Sequence, residues 1–311
     1  MTVTTVAIMG AGAMGRLFGA RLAEAGIDVT LVDVDTELVQ ALGERGIRLE
    51  DESGARDVEV KASAAGGLDV PVDLFIVFTK GMHTRAAVAS ISRFAGSGAR
   101  VLTLQNGLGN PEIIAETFSA ERIVKGMAAL PADAVGTTGV RSLGAGHLEI
   151  GAFTPEGMSW VRETADVLSA AGFDTRLPAD IDVGIWEKVA FNTALNVLAA
   201  VTGLTNAQMD SPPGRRVIAR VLDEVVAVAR SQSVHVDRSR IDAAVAHALV
   251  AHGHHRASML QDLATGRPLE IDSIPGAVID RARQADVPVP ALEVLTDALR
   301  MMLPPGQKGA R

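Results

Sequence analysis

Thr4 to Gly15 reads TTVAIMGAGAMG, and a helical pattern, RLFGARLAEAG, carries on to Gly26. A short apolar strand runs directly into Gly10-Ala11-Gly12-Ala13-Met14-Gly15, and a helix opens directly after it. Strand, G-x-G-x-x-G and helix in that order form the context of a dinucleotide-binding fingerprint. The first glycine makes the tight turn, the second lets backbone approach a pyrophosphate, and the third permits close helix–strand packing. The helix start then offers free N–H groups and a positive dipole end to phosphates. A second apolar strand, Asp28 to Val32, ends in Asp33, 18 residues past Gly15. That is near the spacing of the carboxylate that reads the ribose hydroxyls and repels a 2′-phosphate. The alternative for Asp33 is a turn residue at a strand end.

Working outward, Ile47–Glu50 and Val58–Ala62 read as short strands around a polar turn, DESGARD. Asp73–Thr79 and Arg100–Leu104 read as buried parallel strands, since both are near-continuous apolar runs. The first ends in Lys80 and the second in Gln105-Asn106-Gly107-Leu108-Gly109-Asn110. Polar and glycine-rich strand ends are where ligands collect on a doubly wound sheet, which makes Lys80 and Asn106 candidates for contact. Each could equally be a cap or turn residue. Strands at Ile123–Ala128, Gly139–Ser142 and His147–Gly151, a helix at Met158–Ala171 and a short strand at Thr175–Leu177 complete an α/β region. From Ala179 long helical patterns take over. The expected division is a Rossmann-type domain over residues 1–178, an all-α substrate-binding and catalytic domain over 179–303, and a tail over 304–311.

Ile185–Val201, IWEKVAFNTALNVLAAV, reads as one mostly buried helix interrupted by Lys188, Asn192 and Asn196. Four-residue spacing puts these on one face. A Lys and two Asn buried together are costly unless something polar meets them, so the stripe faces either solvent or a polar ligand. Ser258 opens a later helix and Glu270 follows it in a charged loop. They read either as a cap with a surface loop or as a hydroxyl and a carboxylate facing a cleft.

Composition narrows the function classes. The chain has 311 residues, 48% hydrophobic and 21% charged, with a net charge of −8, so it carries a sizeable core and lacks the basic footprint of a nucleic-acid binder. It has no cysteine, which removes disulfides, thiolate catalysis and Cys-based metal sites. His247, His252, His254 and His255 cluster, but no carboxylate or Cys ligand is spaced to complete a site, so no metal is expected. No signal peptide or membrane span is visible, and the expected location is the cytoplasm.

In chain order, GAGAMG, the strand ending in Lys80, LQNGLGN around Asn106, W-E-K-x3-N-x3-N from Trp186, SM-x-QD from Ser258 and G-R-x2-E-I-D from Gly266 resemble the ketopantoate reductase (2-dehydropantoate 2-reductase) family. The resemblance covers nearly the whole chain. It implies a Rossmann domain followed by a helical domain like that of 6-phosphogluconate dehydrogenase, with the active site between them. It further implies NAD(P)H-dependent reduction of a 2-keto acid, ketopantoate to D-pantoate, on the path to pantothenate. Carried over by motif, Lys188 and Glu270 fall on the catalytic positions. Asn192, Asn196, Asn206 and Ser258, with Lys188, fall on substrate positions. Gly10 to Gly15, Lys80, Asn106, Ala132 and Glu270 fall on cofactor positions.

Two departures stand out. The family helix usually reads N-P-x-T-A after the second Asn; here it reads Asn196-Val197-Leu198-Ala199-Ala200. Well-studied members carry an Arg near the end of strand two for the NADP phosphate, where this chain has Asp33. That substitution leans towards NADH over NADPH, unless a distant residue such as Arg16 reaches the phosphate. NAD-dependent D-2-hydroxy-acid dehydrogenases, such as D-mandelate dehydrogenases, resemble the family too, and a nucleotide-binding protein without turnover is the alternative of a different class. The expected partners are a small 2-keto acid and a second copy of the chain in a homodimer, with neither nucleic acid nor membrane.

Overall fold

The structure is a computed structural model that describes residues 3–251, 253 and 256–303. His252, His254, His255 and the tail over 304–311 lie outside the described residues. Packing divides the chain into two units: Met1–Gln105 with Asn110–Ile181, and Asn106–Gly109 with Asp182–Arg311.

The strands of the first unit are β1 (Thr5–Met9), β2 (Asp28–Asp33), β3 (Ile47–Asp51), β4 (Gly54–Val58), β5 (Lys61–Ala64), β6 (Leu74–Val77), β7 (Arg100–Thr103), β8 (Ile123–Ala129), β9 (Asp133–Val135), β10 (Gly139–Arg141), β11 (His147–Ala152) and β12 (Thr175–Arg176). Its helices are α1 (Ala13–Glu24), α2 (Thr36–Arg45), α3 (Thr84–Ser90), α4 (Asn110–Ala115) and α5 (Met158–Ala170). The main sheet has eight strands in the order β12-β11-β8-β7-β6-β1-β2-β5. β5 through β8 are parallel, and β11 adds antiparallel to β8. The order reverses between β1 and β6, which makes their carboxyl ends the topological switch point where such sheets bind ligands. β1, β6 and β7 are almost wholly buried, as apolar strands covered on both faces must be.

A second, four-stranded sheet, β4-β3-β10-β9, lies beside α1. It corrects the expectation of a polar turn at DESGARD. Only Glu52 and Ser53 make that turn, and Gly54–Val58 pairs antiparallel with β3. The expected strand at Val58–Ala62 is divided between β4 and β5. No apolar alternation reveals β4, because Val58 is the one buried residue of GARDV. Arg56 holds it by ion pairs to Asp51 at 2.7 Å and Glu24 at 2.5 Å.

The second unit contains α6 (Ile181–Thr202), α7 (Asn206–Met209), α8 (Pro212–Ser231), α9 (Arg238–Ala251), α10 (Ser258–Ala264), a π-helical turn at Asp272–Gly276, α11 (Ala277–Gln284) and α12 (Pro290–Met302). α6 has 22 residues and is buried on nearly all sides. Trp186, Val189, Leu195 and Leu198 pack with Val221, Leu222 and Val225 of α8. Val197 and Ala200 join a separate core with Met259, Ile271 and Leu299. A helix that is apolar around most of its surface belongs at the centre of a unit. Among the described residues no helix is long and apolar enough to cross a membrane.

Candidate active site

The three glycines of the loop after β1 have three different surroundings. Gly10 has φ +105°, and a Cβ there would stand 2.8 Å from the Thr79 nitrogen at the end of β6. At Gly15 a Cβ would stand 2.0 Å from the Gly10 carbonyl oxygen, so only glycine lets α1 approach β1 this closely. A Cβ at Gly12 would meet nothing within 4 Å. Gly12 is also the N-cap of α1, whose first turn holds no acidic residue. This is an open cradle at a helix N-terminus, and it suits a pyrophosphate.

Asp33 ends β2 beside that cradle. Its carboxylate accepts the Ala11 N–H at 2.7 Å, the Val34 N–H at 2.8 Å and the Asp35 N–H at 3.1 Å. One oxygen is thereby aimed at the glycine loop, and the other is held by the turn that follows β2. Val34, next in the chain, is 83% exposed. Arg16 is committed elsewhere. It donates to the carbonyls of Ala11 at 2.8 Å, Gly139 at 2.8 Å and Thr137 at 3.1 Å, and it is buried. It stitches α1 to the second sheet, and reaching a ribose phosphate would cost it those bonds.

The ends of β6 and β7 form a polar network centred on Gln105. Gln105 donates to the Thr79 carbonyl at 2.6 Å and to Thr84 Oγ1 at 2.8 Å, and Thr84 donates to Asn110 at 2.9 Å. Lys80 sits in this turn, half-buried, as the N-cap of a 3₁₀ turn at Gly81–His83. The strand-end position of Gln105 was the available signal. Ala132 lies between β8 and β9, half-buried against the core of this unit. Asn106 falls with the second unit.

Within the second unit Lys188 and Glu270 interact. Burial pushes the Lys188 ammonium down from 10.5 to about 8, against the opposing pull of the Glu270 carboxylate. The residue as a whole keeps partial access to solvent, and it is the crowding around the ammonium that sets its proton affinity. Asn196, two turns along α6, is buried and Asn192 is half-buried. Ser258 is exposed at the first position of α10; the N-cap there is Ala257, so Ser258 is not the cap. Asn206 starts α7 and donates to the Ala248 carbonyl of α9 at 3.2 Å. This bond uses its amide to pack two helices. Among the described residues no group of three or more His, Cys, Asp or Glu could hold a metal ion.

The family model described as ketopantoate reductase PanE/ApbA matches residues 6–155, and its C-terminal counterpart matches 180–303. The chain belongs to the ketopantoate reductase family. Members of the family are oxidoreductases acting on CH–OH groups with a nicotinamide cofactor. A 2-dehydropantoate 2-reductase of Halobacterium salinarum is 33% identical over 298 residues, covering 95% of this chain and 98% of that protein. A solved 2-dehydropantoate 2-reductase from Geobacter metallireducens superposes with a TM-score of 0.89 at 30% identity, covering 96% of this chain and all (100%) of that one. A ternary structure of D-mandelate dehydrogenase with NADH and anilino(oxo)acetate superposes with a TM-score of 0.91 at 27% identity, covering 96% and 97% of the two chains. In this ketopantoate reductase family member α6 runs without a break through Val197-Leu198-Ala199-Ala200, where the family pattern places a proline.

Proposed function

We propose that the chain is an NADH-dependent reductase of a small 2-keto acid, with Lys188 as proton donor and Glu270 as the group that holds it. The carrying observation is the Lys188–Glu270 pair, with its ammonium brought down to about 8. A general acid works best when its proton affinity lies near the operating pH. When bound, the reduced nicotinamide supplies a hydride to the C2 carbonyl. Lys188 stabilises the negative charge that develops on the carbonyl oxygen and delivers a proton to it from Nζ. Glu270 keeps the ammonium in place and raises its proton affinity against burial. Asn192 and Asn196 present amide groups along the same face for the substrate carboxylate or hydroxyl, and Ser258 adds a hydroxyl from α10. Gly12 gives the pyrophosphate backbone access, and Lys80, Asn106 and Ala132 contribute on the cofactor side.

Asp33 supports NADH. Its carboxylate already faces the glycine loop, and no Lys or Arg follows it before Arg45. Ketopantoate is the first substrate to test, since relatives along the full chain bear the name 2-dehydropantoate 2-reductase. A second reading, an NAD-dependent D-2-hydroxy-acid dehydrogenase with a bulkier substrate, is favoured by Asp33 together with the uninterrupted α6. Loss of NADH or NADPH absorbance with ketopantoate, 2-ketoisovalerate and phenylglyoxylate decides between the two. Preference for ketopantoate supports the first reading and preference for phenylglyoxylate the second. No turnover with any of them, in protein that still binds NADH, rejects both in favour of a binding protein.

A further inference from the structure

Asn106–Gly109 follows a strand of the first unit yet packs with the second. Its attachment point is the π-helical turn at Asp272–Gly276. Pro275 inside that turn has no N–H to give, and the Ile271 carbonyl is instead taken by Gly276 at 2.8 Å, five residues on. Such one-turn π segments are frequent at functional sites. The Ser273 carbonyl in the turn accepts the Leu108 N–H at 2.8 Å. The Leu108 side chain packs against the core of the same unit. Gly107 presses on the same carbonyl so closely that a Cβ would stand 1.9 Å from the Ser273 oxygen and 2.6 Å from its carbon. Arg300 of α12 pairs with Asp272 at 3.1 Å and ties the turn to that helix.

We infer that Gly107 and the Ser273 carbonyl form a backbone lock that fixes Asn106 in register with Glu270. Gly107 is thereby a positioning residue for the reaction. The inference rests on the reading of Glu270 and Asn106 given above. The lock is one residue from Asn106 and three from Glu270; with Asn106 taken to meet the nicotinamide end of the cofactor, a displacement of the loop shifts that contact against the Lys188–Glu270 pair. Misplacement of about an ångström at reacting groups costs rate steeply.

The loop contains its own control. Gly109 has φ +92° and Gly107 φ +87°, so alanine suffers similar backbone strain at both. A Cβ at Gly109 meets nothing within 4 Å, whereas one at Gly107 strikes the Ser273 carbonyl. Gly107→Ala should lower kcat by about tenfold or more and raise KM for NADH, and Gly109→Ala should change both far less. ADP-ribose, which lacks the nicotinamide, should bind Gly107→Ala with unchanged affinity and stoichiometry. Should Gly107→Ala fail to fold, Ser273→Gly loosens the same carbonyl without adding bulk, and the same split between kcat and ADP-ribose binding is expected. Equal kinetics for the two alanine variants, or a loss of ADP-ribose binding in step with kcat, overturns the lock. An unmodified protein that reduces no keto acid defeats the functional reading instead. An inactive Lys188→Met beside a fully active Gly107→Ala defeats only the lock.

Discussion

Lys188→Met removes an ammonium from a crowded setting and leaves a side chain of similar length and greater affinity for that setting. The unfolded chain holds the Lys188 proton up to about pH 10.5 and the folded chain only to about 8. Below about pH 8 both states are charged, and the folded state bears the full cost of the desolvated ammonium. From there to about 10.5 the unfolded chain binds more protons than the folded one, so the stability of the unmodified protein rises with pH. The interval is worth at most about 3.5 kcal/mol at ~1.4 kcal/mol per pH unit, and partial solvent access reduces this to roughly 1–2 kcal/mol. Lys188→Met should therefore be more stable at neutral pH by roughly 1–2 kcal/mol, with the advantage fading near pH ~10. Its kcat should fall by about two orders of magnitude or more, since the proton donor and charge stabiliser are gone. Urea denaturation at the two pH values and keto-acid reduction by NADH measure both effects. A variant that is less stable at neutral pH, or whose stability difference ignores pH, would refute the desolvated ammonium. Near-normal turnover would refute its role.

Other substitutions probe the remaining parts of the site. In the unmodified protein keto-acid reduction should decline as pH rises through about 8, where Lys188 loses its proton, and Glu270→Gln should shift that midpoint downward in a pH–kcat profile. Asn196→Ala should mainly raise KM for the keto acid, because it removes a binding contact; an unchanged KM places Asn196 outside the substrate pocket. Gly12→Ala should leave thermal stability nearly unchanged but weaken NADH binding, while Gly15→Ala, aimed at the Gly10 carbonyl, should damage both; calorimetry and dinucleotide titration separate them. NADH should be preferred over NADPH by at least about tenfold in kcat/KM, since a like-charge contact at an effective dielectric near ~20 costs a few kcal/mol. Asp33→Arg should narrow or reverse that ratio, and a clear NADPH preference in the unmodified protein contradicts the reading of Asp33.

What the sequence made legible follows from how local each signal is. The glycine loop could be read because strand, loop and helix are consecutive, and Gly10, Gly12 and Gly15 each have the surroundings their spacing implies. The stripe on α6 could be read because helical periodicity brings Lys188, Asn192 and Asn196 to one face. The β3–β4 hairpin was missed because an exposed strand such as GARDV, held by ion pairs, has no apolar alternation to detect. The π turn at Asp272–Gly276 has no signature in the sequence, since nothing local tells a Pro that kinks from a Pro that widens a turn. Arg16 shows the limit most clearly. From sequence it was a free cation one residue past the glycine loop and a rival reader of the ribose phosphate. Its three carbonyl acceptors come from Ala11, Thr137 and Gly139, and two of these are more than a hundred residues away. Long-range pairing of this kind leaves no trace in spacing, yet it bears directly on cofactor choice. With Arg16 bound to the second sheet, the proposed reading leaves the ribose to Asp33, whose charge a 2′-phosphate would oppose.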